Sequence, residues 1–129
     1  MHEAEKLLIS TRHGRVCAEL GGSGPPIVLL HSGGHDRHDF DAIAPELQRR
    51  FRTVALDLPG HGESDKPESS DAYGLQRVRD GAKVLEYLKV EKAHVVGYSL
   101  GGMVALKFAA VHSEMTLSVT LCGMGWMKE

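Results

Sequence analysis

The sequence predicts an α/β fold: a mostly parallel sheet with helices on both faces, entered through an N-terminal hairpin. Three observations predict it. Short, nearly continuous apolar runs at Ile27–Leu30, Thr53–Leu56, His94–Val96 and Met115–Cys122 read as strands buried on both faces. Segments of helical periodicity alternate with these runs, which calls for a parallel sheet with right-handed crossovers. Loops rich in Gly, Pro, Asp and Ser follow the strands, at the carboxyl ends where function gathers in such sheets.

The hairpin is read from Lys6–Ser10 and Arg15–Leu20, separated by the turn-like pair His13-Gly14. The run Gly21 to Pro26 is a loop, because Gly supplies unusual dihedrals and Pro cannot join a ladder. After the first buried strand, Phe40–Arg50 suits a short helix. Phe40, Ile43, Ala44 and Leu47 fall at helical spacing, and Arg49 and Arg50 lie near the negative C-terminal end. Asp57–Ser70 is a loop. A helix is expected from near Asp71 to Lys89, with Leu75, Val78, Ala82, Leu85 and Leu88 as its apolar stripe and Gly81 as a weak point. Leu100–Val111 is apolar nearly all round and is expected to be a buried helix.

The 129 residues suit one domain spanning 1–129, able to bury about two thirds of its unfolded surface. A 42% apolar and 25% charged composition argues against disorder. Fifteen basic and seventeen acidic residues give a charge of -2, so no basic excess points to nucleic acid or to a membrane surface. No apolar run approaches the roughly 18 residues of a spanning helix. The opening MHEAEK lacks the apolar core of a signal peptide. Cys17 and Cys122 are isolated in strand-like contexts and are expected to be buried, reduced thiols of a cytoplasmic protein.

The chemistry-bearing motif is Gly97-Tyr98-Ser99-Leu100-Gly101. Its pattern, G-x-S-x-G, is weak alone, but here it joins a strand ending at Val96 to a helix starting near Leu100. That is the strand–turn–helix setting of a nucleophile elbow, where a sharp turn exposes the serine hydroxyl. The free N–H groups of the helix N-terminus lie behind Ser99, and the N–H of Leu100 is the first donor for an oxyanion. The loop His31-Ser32-Gly33-Gly34 follows the neighbouring strand and offers a second donor at Gly33. His31, His35 and His38, with Asp36 and Asp39, match no standard metal-ligand spacing, so they read as a solvated loop and no metal is expected.

The runs IVLLHSGG, DLPGHGESDKP (Asp57 to Pro67) and VVGYSLGGMVA (Val95 to Ala105) together resemble the α/β-hydrolase superfamily. The resemblance extends to Cys122. It implies Ser99 as nucleophile and the N–H groups of Gly33 and Leu100 as the oxyanion hole, with a small carbonyl substrate and no cofactor. Ser32 departs from it, because small-molecule members usually carry Gly after the His. Serine at 99 also argues against the epoxide hydrolase and haloalkane dehalogenase branches, which use Asp there, and favours esterases, lactonases, C–C hydrolases or perhydrolases.

A serine nucleophile needs a base, and in this fold the acid and the histidine follow it along the chain. Only His112 follows Ser99, at an expected helix terminus, and Glu114 and Glu129 are poor acids by position. His31 and His61 are expected to serve turns and packing. The expected core is therefore an incomplete α/β-hydrolase sheet of about six strands, lacking the cap and the C-terminal strands. A non-catalytic alternative is a protein that self-associates, or binds a partner, through the apolar edge strand near 115–122.

Overall fold

A computed structural model describes residues 5–68 and 73–123. Its six strands are β1 (Glu5–Thr11), β2 (Gly14–Gly22), β3 (Pro26–Leu30), β4 (Arg52–Leu56), β5 (Ala93–Tyr98) and β6 (Thr116–Cys122), and they form one sheet in the order β1-β2-β4-β3-β5-β6. β1 and β2 form the expected antiparallel hairpin, with Ile9 opposite Val16. β2 joins β4 antiparallel, and every further pairing is parallel.

Three α-helices accompany the sheet: α1 (Ala44–Leu47), α2 (Leu75–Tyr87) and α3 (Leu100–Val111). The strand period of two sends alternate residues to opposite faces. Val28, Leu30, Val54, Leu56 and Val95 pack with Val78 and Leu85 of α2 and Val104 and Phe108 of α3. Ile27 and Leu29 pack on the other face with Phe40, Leu47 and Phe51. Burial on both faces explains why these central strands read as continuous apolar runs.

Several expectations are corrected. The segment Phe40–Arg50 is broken: a 3-10 turn spans Arg37–Phe40, and α1 has only four residues, with Pro45 in its first turn. Proline fits a first turn but blocks continuation from the preceding residues. The helix α3 is only half buried, with Met103, Leu106 and Val111 exposed, because it presents one side to β5 and α2 and the other outward. β6 is an edge strand among the described residues, as expected, but it is not buried on both faces: Leu117 and Leu121 are exposed. Cys122 is exposed on that edge, whereas Cys17 is fully buried in β2. The expected start of α2 near Asp71 lies outside the described residues. No helix among the described residues is long and apolar enough to cross a membrane.

On α2, Val78, Ala82 and Leu85 are buried as the stripe predicts, but Leu75 is exposed. Two polar residues, Gln76 and Asp80, are buried instead. Gln76 Nε2 donates to Asp80 Oδ1 at 3.0 Å. Burial pushes the Asp80 carboxyl up, against the opposing effect of that hydrogen bond. A raised carboxyl pKa in the folded state means that ionisation above the unfolded value costs stability. Asp80→Asn keeps the acceptor for Gln76 and removes this cost. Its urea midpoint is expected to exceed the parent's at pH 7 and to match it near pH 3; a variant weaker than the parent at pH 7 would show that the ionised carboxylate stabilises the fold.

Candidate functional site

The site lies at the carboxyl ends of β3, β4 and β5, where three loops meet. Its centre is the turn from β5 into α3. Ser99 adopts φ 55° and ψ -111°, in the left-handed half of the backbone map. A non-glycine residue there costs of order 1–3 kcal/mol and persists only if its surroundings dictate it. They do so here. The Ser99 N–H donates to Cys122 O at 3.0 Å, and the Ser99 carbonyl accepts from Gly102 N at 2.8 Å and Met103 N at 3.2 Å. A Cβ at Gly97 would overlap the Gly101 carbonyl, and one at Gly101 would overlap the carbonyl oxygen of Leu30. The strand, the turn and the helix therefore approach more closely than any side chain permits at 97 or 101.

Ser99 is exposed, and its hydroxyl has no hydrogen-bond partner among the described residues. The N–H groups of Leu100 and Gly101 open α3 and are likewise unpaired among the described residues, as the first donors of a helix are. Gly33 lies beside this turn: a Cβ built on it would stand 3.4 Å from Leu100 Cδ2. The three sequence-predicted site residues, Ser99, Leu100 and Gly33, are thus gathered in one place.

The loops are fixed by buried polar groups. His31 is fully buried, and its Nδ1–H donates to Ser32 O at 2.7 Å while Nε2 accepts from Leu58 N at 2.9 Å. The partners are a carbonyl and an N–H, so the ring is the neutral tautomer; burial holds its pKa below the usual histidine value. His61 is tied in the same way, with Nδ1–H donating to Pro59 O and Nε2 accepting from Gly34 N, both at 3.0 Å. These two rings do hold turns, as expected from their positions.

The loop 31–39 is solvated in part: His35 and His38 are exposed, as the solvated-loop reading expects, but His31 and Arg37 are buried. Arg37 is buried and bridges three carboxylates: Nη1 to Asp57 at 2.7 Å, Nη2 to Glu63 at 2.7 Å and Nε to Glu19 at 2.9 Å. Burial disfavours its charge, but these acceptors reverse that effect and raise its pKa. Asp57, also fully buried, accepts in addition from Arg37 N at 2.7 Å and Glu63 N at 2.9 Å. The loops after β3 and β4 are thereby clamped to each other. Sequence reasoning missed this clamp because nothing local separates a buried Arg from a solvated one.

Cys17, Asp57 and Glu63 offer three ligand atoms within 4.8 Å of one another. Arg37 already occupies both carboxylates, and burial pushes the Cys17 thiol up to about 11. With Arg37 on both carboxylates, this cluster is a guanidinium site. Of the loop histidines, His35 pairs with Asp39 and His38 with Asp41, each on its own partner.

No histidine among the described residues hydrogen-bonds the Ser99 hydroxyl. His112 stands at the far end of α3, about 20 Å from Ser99 by the helical rise. Its Nδ1 lies 3.5 Å from Glu114. His2 and Glu129 lie outside the described residues.

A family model described as the alpha/beta hydrolase fold matches residues 25–128. An uncharacterized protein of Mycobacterium tuberculosis is 36% identical over 121 residues, which cover 92% of this chain and 35% of that protein. The pimeloyl-(acyl-carrier protein) methyl ester esterase of Methylococcus capsulatus is 42% identical over 106 residues, covering 81% of this chain and 39% of the esterase. An epoxide hydrolase from an endophytic Streptomyces superposes with a TM-score of 0.90 at 30% identity, covering 96% of this chain and 38% of its own. The chain spans about a third of the length of the curated relatives it matches.

The contrast between two helical glycines tests the packing at the turn. Gly81→Ala places its methyl at an ordinary 3.6 Å from the Phe108 ring and is expected to stabilise the chain by about 0.5–1 kcal/mol in urea unfolding. Gly101→Ala is expected to destabilise it by about 1–3 kcal/mol or more. Equal effects of the two substitutions would mean that the contact of α3 with β3 is looser than described.

Proposed function

This chain belongs to the alpha/beta hydrolase fold family, and we propose that it carries the nucleophile and oxyanion donors of a serine hydrolase acting on an ester, a lactone or a similar small carbonyl compound. Ser99 attacks the carbonyl carbon, and the N–H groups of Leu100 and Gly33 hold the oxyanion. The observation that carries this reading is the backbone of Ser99: a strained, exposed serine fixed between two glycines that admit no side chain. Strain of this kind is kept where it serves chemistry. The esterase relative fits the reading. The epoxide hydrolase neighbour shares the fold, but that branch resembles this chain with Asp in place of Ser99, so ester chemistry is the better supported.

The acylation step needs a base to take the Ser99 proton and return it to the leaving group. We assign the base and its orienting acid to residues other than those described around Ser99, since His31 and His61 spend both ring nitrogens on the backbone. The 129-residue chain by itself is then a weak catalyst, with at most the roughly 10³–10⁴-fold acceleration that an oxyanion hole and binding leave when a triad is broken.

A second reading rests on β6, whose apolar residues Leu117 and Leu121 are exposed at the sheet edge. In it the chain associates through that edge, with a second copy or with another polypeptide. Light scattering at rising concentration separates the two: a monomer throughout removes self-association.

For the hydrolase reading, a fluorophosphonate probe is expected to label the chain slowly at one site, with Ser99→Ala unlabelled. Hydrolysis of a chromogenic ester is expected to be slow and to vanish in the same variant. Labelling that survives Ser99→Ala would remove Ser99 as nucleophile. Turnover at the rate of an ordinary esterase would remove the assignment of the base to other residues.

A further inference from the structure

The departure at position 32 leads to a residue with no role in the reading so far. Ser32 is buried, and its side chain turns into its own loop. Its N–H donates to Asp39 Oδ2 at 3.0 Å, and its hydroxyl donates to the same oxygen at 2.9 Å. The other oxygen, Asp39 Oδ1, lies 2.7 Å from His35 Nδ1. Two residues past Ser32, the Gly34 N–H is spent on His61 Nε2. Gly33 is thus bracketed: the amides on either side are tied to fixed side chains, while its own has no partner among the described residues.

We propose that Asp39 is a positioning residue, whose carboxylate grips Ser32 by its amide and hydroxyl and so sets the aim of the Gly33 N–H as second oxyanion donor. This rests on the reading of Ser99 as nucleophile. The physical case is one of freedom removed. A loop of small residues, Ser32-Gly33-Gly34, has many backbone states, and an oxyanion donor is useful only when preorganised. Members of the family with Gly at 32 have no hydroxyl there to grip. Here a serine and an acid seven residues on close the loop on itself through charge-assisted bonds, which are stronger than neutral ones. Burial alone would push the Asp39 carboxyl up, but the Ser32 amide, the His35 ring and the Ser32 hydroxyl more than reverse this, so it stays ionised. The Arg37–Asp57 clamp holds the far end of the same loop but touches neither Ser32 nor Asp39.

The test uses the 129-residue chain in two measurements. The first is the steady-state 15N NOE of the Gly33 amide without ligand. The second is the affinity for phenylboronic acid at one fixed pH. The Ser99 oxygen supplies the electron pair of a new B–O bond, its proton leaves to solvent, and the tetrahedral boronate carries the negative charge into the oxyanion site. In Asp39→Ala the Gly33 amide is expected to become mobile and boronate affinity to fall about tenfold, short of the 10²–10³ that outright loss of an oxyanion donor costs. Asp39→Asn, which keeps one acceptor oxygen, is expected to recover part of both, and Ser32→Gly to lose part of both. These two milder variants carry the test if Asp39→Ala fails to fold. A Gly33 amide and a boronate affinity unchanged in Asp39→Ala overturn the proposal while leaving Ser99 as nucleophile. Boronate binding that survives Ser99→Ala overturns the nucleophile reading, and the proposal with it, whatever the Gly33 amide does.

Discussion

A methyl group has no room at position 97 or 101, and the geometry of the whole site follows from that. The carbonyl oxygen of Leu30 sits where a side chain on Gly101 would begin, and the Gly101 carbonyl sits where one on Gly97 would begin. So close an approach brings the start of α3 down onto the ends of β3 and β5. The single residue left to make the turn, Ser99, must take a positive φ, and its side chain is left facing outward. The cost is met by hydrogen bonds on both sides of the serine, one from its own amide to the end of β6 and two to its carbonyl from the first turn of α3. The edge strand is therefore part of the site, since without Cys122 O the Ser99 amide has no anchor.

A second constraint keeps the neighbouring loops in register with this turn. Arg37 and Asp57 are both buried, and each is an expensive group to take out of water. Together with Glu19 and Glu63 they satisfy one another, and Gly62 keeps its backbone against the Asp57 carboxylate, where no side chain could fit. Such a cluster adds little net stability compared with a well-packed apolar core, but removing either buried member, Arg37 or Asp57, leaves the other as an unpaired buried charge at a cost of about 3–5 kcal/mol. Its value lies in definition: the loops after β3 and β4 have one arrangement, and Gly33 is carried to Leu100 within it.

The fold was legible in the sequence because its central strands are buried on both faces. Ile27–Leu30 and Thr53–Leu56 have no polar interruption except Thr53, whose hydroxyl donates to Gly21 O. The elbow was legible because sterics write it in glycines. What the sequence could not show depends on tertiary partners. The exposure of Met103, Leu106, Leu117 and Leu121 is set by what lies opposite them, not by their own hydropathy. The segment Phe40–Arg50 has a helical period, but Pro45 divides it. Arg37 and Asp57 look like loop charges until residues twenty apart are brought together, and Asp39 looks like one until its loop folds back on Ser32. The order of residues around Ser99 could thus be read in advance, and the polar clamps that hold it could not.

The central claim is that the turn at Ser99 and the loop at Gly33 form one preorganised oxyanion site. A crystal structure of the chain after reaction with a phosphonate ester measures this directly. The expected result is phosphorus bonded to Ser99 Oγ, with one phosphonyl oxygen about 2.7–3.1 Å from both the Leu100 and the Gly33 nitrogens. Phosphorus on another residue, or a phosphonyl oxygen turned to solvent with either amide facing away, would contradict it.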